Sequence, residues 1–241
     1  MSFISNIKKI SKPSEKSVLG LVWWKWLTII LLFYSIIMGF LGEVPALPIL
    51  HETIRNLYFH VTMWFAMMII LTAALVYSIL YLANSNPKND LFASEAVNVG
   101  LLFGTLGLVT GSIWAKFTWG AYWVNDAKLN GAAIGMLVYL AYAVLRNSMD
   151  EEQKRARISA VYNILAYTMF MVFIMVMPRL VDSLHPGNGG NPGFGKYDLD
   201  SNMRMVFYPS IIAFTLLGVW ILQILVRIRL IKQKQLIKNF K

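Results

Sequence analysis

Six stretches of this chain run without a charged residue for as long as a bilayer core is thick, and no other feature constrains the fold so hard. They are Trp26 to Gly42, Asn56 to Pro87, Ala96 to Ala115, Leu129 to Leu145, Ile158 to Pro178 and Met205 to Val226. A spanning helix needs roughly 17–25 predominantly apolar residues. In hydrocarbon every backbone N–H and C=O must find its partner inside the segment, and helices do this. The expected fold is therefore an all-α integral membrane protein, a bundle of six transmembrane helices in a single domain over residues 1–241. The spans fall roughly at 23–42, 57–83, 94–114, 129–146, 158–180 and 206–227, with the fourth the shortest. Only 14% of the 241 residues are charged and the mean hydropathy is +0.57, whereas a soluble domain carries roughly 25% charged residues. The first apolar run continues without a small-residue cleavage site, so it reads as a retained helix rather than a signal peptide.

Six spans put both termini on one side. Sixteen of the 22 Lys and Arg then flank that side, against Arg55, Lys116, Lys128, Arg179, Lys196 and Arg204 on the other. The positive-inside rule makes the first side cytoplasmic. The net charge of +10 thus serves topology and anionic-lipid contact rather than nucleic-acid binding. Residues 227–241 (RIRLIKQKQLIKNFK) read as a basic cytoplasmic tail that extends the last helix along the membrane surface. With no cysteine, disulfides and thiolate metal sites are excluded. There is no P-loop, no zinc-type His/Cys spacing and no Ser/His/Asp arrangement.

Between the third and fourth spans lies Val109 to Asn130, VTGSIWAKFTWGAYWVNDAKLN, which packs Trp114, Trp119, Tyr122 and Trp123 into ten residues. It reads as a Trp-rich outer loop, interrupted by Gly111 and Gly120 and closed by the lone acid Asp126. An interfacial belt of rings explains one or two aromatics at a helix end. A whole aromatic segment is better suited to a large flat apolar ligand. The three histidines, His51, His60 and His185, all fall on the outer side or in the outer end of a span. His60 lies just inside the second span, where an ionisable group is costly and points to function.

The run Trp119-Gly120-x-x-Trp123-x-x-Asp126, preceded by Gly111-Ser112-x-Trp114 and followed by Lys128, resembles the tryptophan-rich "WWD" signature of the haem-handling proteins of cytochrome c biogenesis. The likeness is nearest to the CcmC branch, with CcsA and CcmF as larger relatives. Asn125 stands where that pattern carries another Trp, and Asn130 near a usual Thr or Ser. The segment Ile54-Arg55-Asn56-Leu57-Tyr58-Phe59-His60-Val61, with Trp64 a turn later, resembles the family's first histidine segment. Asp182-Ser183-Leu184-His185 resembles the second, while His51 has no counterpart.

The resemblance implies that His60 and His185 are axial ligands of a haem iron, a bis-imidazole site. The haem is b-type, held non-covalently and transiently, and Trp114, Trp119, Tyr122, Trp123 and Asp126 form the platform under it. Arg55 and Lys128 are candidates to meet haem propionates or are ordinary interface cations. Asp126 either orients a ligand or caps a helix. The Gly/Pro-rich run after His185 either simply connects two spans or lets His185 swing between bound and released states.

By the same resemblance the chain sits in the bacterial inner membrane and presents haem at its outer, periplasmic face. It would pass haem to the haem chaperone CcmE, with the small protein CcmD and the CcmA/CcmB transporter as partners. No bond-making residue is visible, so a binding and transfer protein is expected rather than an enzyme. A bis-His haem b electron-transfer protein would carry more in-membrane histidine. A haem or solute permease would carry broken or polar helices at mid-membrane.

Overall fold

The computed structural model describes residues 22–185 and 199–239. The basic lead-in through residue 21, and most of the Gly/Pro-rich run after His185 with the mobility expected of it, lie outside them. Helix α1 covers Trp23–Leu41, and a 3-10 turn follows at His51–Asn56. Then come α2 (Leu57–Asn84), α3 (Pro87–Trp119) and α4 (Ala127–Asn147). Helix α5 (Glu152–Met171) passes through a π turn (Val172–Val176) into the short α6 (Met177–Leu180), and α7 covers Ser201–Asn239. No strand occurs among the described residues. With α5 and α6 taken as one run, six helices are long and apolar enough to cross a membrane, and the chain is a multi-pass membrane protein. The shortest is α1 with 19 residues rather than α4, which has 21.

Local chemistry sets the helix boundaries. Asn86 accepts a hydrogen bond from Lys88 N–H at 3.1 Å, and Pro87 opens α3 where its missing N–H costs nothing. Asp126 caps α4 in the same way. Gly120, at φ +81°, ends α3 in the left-handed conformation that favours glycine. Gly111 does not interrupt that helix. α3 runs through to Trp119, so Trp114 and Trp119 ride on a helix and only Gly120 to Asp126 forms the loop. The expected span stopped at residue 114 because hydropathy locates hydrocarbon, and helical hydrogen bonding continues beyond it.

Helix α2 is the centre of the bundle, packed against α3, α5 and α7, while α1 lies on α7 and α4 on α5. Its buried face (Met63, Ala66, Met67, Ile70, Leu71, Ala74) joins Phe103, Met136, Tyr139 and Phe170 in the main core. Side chains such as Ile30, Phe33, Leu137, Val144 and Leu165 point outward, as lipid-facing residues must.

The α2–α3 contact depends on glycine. A Cβ at Gly100 would meet Leu71, at Gly104 Met67, at Gly107 Trp64, and at Gly111 the His60 ring. Alternate steps of four and three residues put these glycines on one stripe, and the missing side chains let α2 approach closely. His60 occupies the last hole of the stripe.

Several polar groups inside the bundle are paired, while the Tyr139 hydroxyl and Ser159 Oγ are buried without a partner. Pro209 sits within α7 and cannot donate to the carbonyl four residues back. That carbonyl, Met205 O, accepts instead from the Tyr34 hydroxyl of α1 at 3.0 Å. At the opposite end of the bundle from His60, Arg146 grips Asp90 through two 2.7 Å bonds, and Arg229 Nε meets buried Glu95 at 2.8 Å. Asn163 donates to Ser78 at 2.9 Å. Removing one partner of such a pair strands a buried polar group.

Candidate functional site

The N-terminal turn of α2, the C-terminal turns of α3, the α4 cap and the segment after α6 meet at one end of the bundle. A second hydrophobic cluster roofs this end, built from Ile54, Leu57, Tyr58, Leu199, Met203, Val206 and Phe207, with Trp114 packed against it.

His60 Nδ1 lies 2.9 Å from the Gly107 carbonyl and 3.3 Å from Thr110 Oγ1. A carbonyl oxygen only accepts, so Nδ1 carries the proton and Nε2 keeps its lone pair. The imidazole meets Trp64 and Trp114 edge to face, at centroid distances of 6.5 and 5.9 Å. A Cβ on residue 111 would stand 2.5 Å from His60 Cε1, so glycine there is a condition of the ring's position. Trp114 is fixed in turn: its indole donates to Thr53 Oγ1 at 3.1 Å, and Thr53 belongs to the 3-10 turn before α2.

His185 is held differently. Its Nδ1 lies 2.9 Å from Asp126 Oδ1, and Trp119 meets its ring edge to face at 5.0 Å. Asp126 is 4% exposed. Its Oδ1 accepts the Lys128 and Leu129 N–H groups at 2.9 and 3.2 Å, and its Oδ2 accepts Ser183 Oγ at 2.8 Å and Leu184 N–H at 2.7 Å. Burial pushes the Asp126 carboxyl up. The hydrogen bonds from His185, Leu184 and Ser183 outweigh it and hold the group well below the usual carboxylate range. An anionic Asp126 accepts a hydrogen bond from His185 Nδ1–H, which in the neutral imidazole again leaves the Nε2 lone pair free. The carboxylate caps α4 and orients His185 at once, so both roles open in the sequence are filled by one residue.

The two imidazoles therefore share one polarity, Nδ1–H anchored and Nε2 presented, the arrangement that second-shell partners give a metal-bound histidine. His60 lies within electrostatic reach of His185 and Lys128. Trp114 and Trp119 are five residues apart on α3, a rise of about 7.5 Å, and each backs one of the two histidines. No group of three or more His, Cys, Asp or Glu that could hold a bare metal ion occurs among the described residues.

The other predicted residues are placed at greater remove. Tyr122 and Trp123 lie on the exposed loop, at 62% and 44% exposure. Lys116 Nζ sits 5.7 Å from the Tyr122 ring and donates to Gly120 O at 2.9 Å. Trp123 donates to Asn130 at 3.2 Å. Lys128 stands in the first turn of α4 beside Asp126. Arg55 is turned toward α1: it pairs with Glu52 at 2.6 Å and donates to Gly42 O and Gly39 O at 2.5 and 3.3 Å. There it neutralises the negative end of a helix. His51 stays exposed in the 3-10 turn, at φ 43°.

Sequence reasoning missed Gly107, Thr110, Thr53 and Ser183, the groups that orient the two histidines and Trp114. The one signal available was the small-residue spacing 100, 104, 107, 111, which marks the helix face that receives α2.

The heme exporter protein C family model matches residues 6–240 of this chain. A ccmC-like mitochondrial protein of cytochrome c biosynthesis from Marchantia polymorpha is 37% identical over 37% of this chain and 39% of its own length. Heme exporter protein C of Bradyrhizobium diazoefficiens is 29% identical over 69% of this chain and 63% of its own. The chain thus spans less than two thirds of either relative. Heme exporter protein C of Escherichia coli (strain K12) is 26% identical, covering 81% and 78%. Matched by the family model along almost its whole length, the chain belongs to the heme exporter protein C family.

Proposed function

We propose that this protein holds haem at one end of its bundle and presents it for cytochrome c maturation. His60 and His185 ligate the iron axially through Nε2, and Trp114 and Trp119 of α3, with Tyr122 and Trp123 on the loop, form the platform. The observation that carries the reading is the matched anchoring of the two imidazoles, each with Nδ1–H tied down and each backed by a tryptophan of the same helix. A haem exporter family and relatives named for cytochrome c biogenesis support it. Lys128, at the α4 cap, is the better placed cation for a propionate. Arg55 serves α1 first.

In this reading the protein binds and transfers, with no catalytic residue. The chain lies in the bacterial inner membrane with both termini cytoplasmic and the site facing the periplasm. The recipient is the haem chaperone CcmE, with CcmD and the CcmA/CcmB transporter as partners. Haem b is cargo, held without a covalent bond. The protein orients it, shields one face with indoles, and keeps the iron between two neutral imidazoles.

The test is the visible spectrum of the purified, detergent-solubilised protein beside His60→Ala and His185→Ala. A haem band in the wild type that is lost or shifted in both variants supports the reading. A wild type that takes up no haem when haem is supplied with its partners sinks it.

A further inference from the structure

We infer that Asn130 is a positioning residue for Trp123, and that Asn125 completes the same device by fixing Asn130. The inference rests on the haem-platform reading for its purpose, but its geometry stands independently. The loop from Gly120 to Asp126 has no regular secondary structure over most of its length, so an indole at Trp123 is oriented only by what its ring can grip. Its Nε1–H donates to Asn130 Oδ1 at 3.2 Å, and Asn130 Nδ2 donates to Asn125 Oδ1 at 2.7 Å.

The directions are fixed by chemistry. An indole N–H only donates, so Asn130 must turn its oxygen to Trp123. That leaves its NH2 to Asn125, whose own oxygen must then accept. A single hydroxyl on the short side chain of Ser or Thr at position 130 could not span both ends in this way. Asn130 is itself rigid, because its backbone N–H bonds to Asp126 O at 2.9 Å in the first turn of α4. Asp126 also holds His185. The platform ring and one histidine are thus both referenced to a single helix turn, Trp123 through Asn130 and His185 through Asp126.

Asn125 and Asn130 are also the two positions where the loop departs from the WWD pattern, and they touch. The pair acts as one unit: what position 125 lacks in aromatic surface, it supplies in orientation of the neighbouring indole.

The experiment uses the full chain in detergent, labelled at tryptophan nitrogen, with the Trp123 indole signal identified by its loss in Trp123→Phe. In haem-free protein, Asn130→Ala should move or broaden that signal, Asn125→Ala should do so less, and Asn125→Asp, which keeps the acceptor, should leave it in place. Haem titration should show Asn130→Ala weakened about three- to tenfold, the range of one hydrogen bond. The double alanine variant should be no worse than Asn130→Ala alone, and Asn125→Asp should match wild type. An unmoved Trp123 signal in Asn130→Ala overturns the inference, as does additive loss in the double variant or unchanged haem affinity with a moved signal. A wild type that binds no haem would remove the platform reading, while the indole signal would still decide whether Asn130 positions the ring.

Discussion

The two histidines are moored in opposite ways. His60 sits in a hole between two packed helices, with a neutral backbone carbonyl as its acceptor and a glycine stripe as its floor. His185 hangs outside any helix on one carboxylate, which also caps α4 and holds two other groups of the same segment. The first mooring depends on the close approach of α2 and α3. The second is charge-assisted, about twice as strong as a neutral hydrogen bond while the carboxylate is ionised, with Ser183 Oγ on the His185 N–H and Trp119 against the ring beside it.

The change that breaks the comparison most severely is Gly111→Leu. Its Cβ alone would lie 2.5 Å from His60 Cε1, so α2 and α3 must part or His60 must leave its hole. Overpacking of this kind costs about 1–3 kcal/mol. Haem uptake by spectrum should be lost and the melting temperature lowered, and a variant with wild-type haem binding would show that the floor is not needed. Next comes Asp126→Asn. Asparagine caps a helix as well as aspartate, so α4 should survive. The Leu184 and Ser183 donors and the His185 proton nevertheless lose their anion, and haem affinity should fall about ten- to hundredfold. Equal loss of helix content by circular dichroism would mean that the cap dominates.

A smaller effect is set by pH. The folded Asp126 carboxyl titrates below its ordinary value of 3.8, so its contribution to stability is fully present above that value and declines as pH falls below it. Wild type should therefore lose thermal stability below about pH 4 more steeply than Asp126→Asn, and parallel curves would argue against the charged anchor. The smallest expected change is Thr53→Val, which removes the acceptor for the Trp114 indole. It should cost about 1 kcal/mol of stability, and an unchanged melting temperature would show that this bond does not hold Trp114.

Much of the candidate site was legible in the residue types. Trp, His and one acid within a charge-poor segment are costly choices, and the resemblance picked out His60 with Trp114, and His185 with Trp119 and Asp126, which touch in the structure. The boundary of α3 was not legible, because the apolar pattern ends where lipid ends and the helix does not. Gly111 looked like a break for a related reason: a glycine in a helix and a glycine in a loop differ only in what lies opposite. Arg55 shows the same limit. A cation at an outer boundary could meet a propionate or a helix end, and here the α1 carbonyls lie within its reach.

What the sequence determined by itself was the number of helices and their membrane setting. Each span had to supply its own apolar length and satisfy its own backbone, and both properties are local. The anchoring of the histidines was decided by tertiary structure alone. The Gly107 carbonyl is 47 residues from His60, and the Asp126 carboxylate is 59 from His185. A hydrogen bond reaches only about 3 Å, so which ring nitrogen carries the proton depends on how the helices meet.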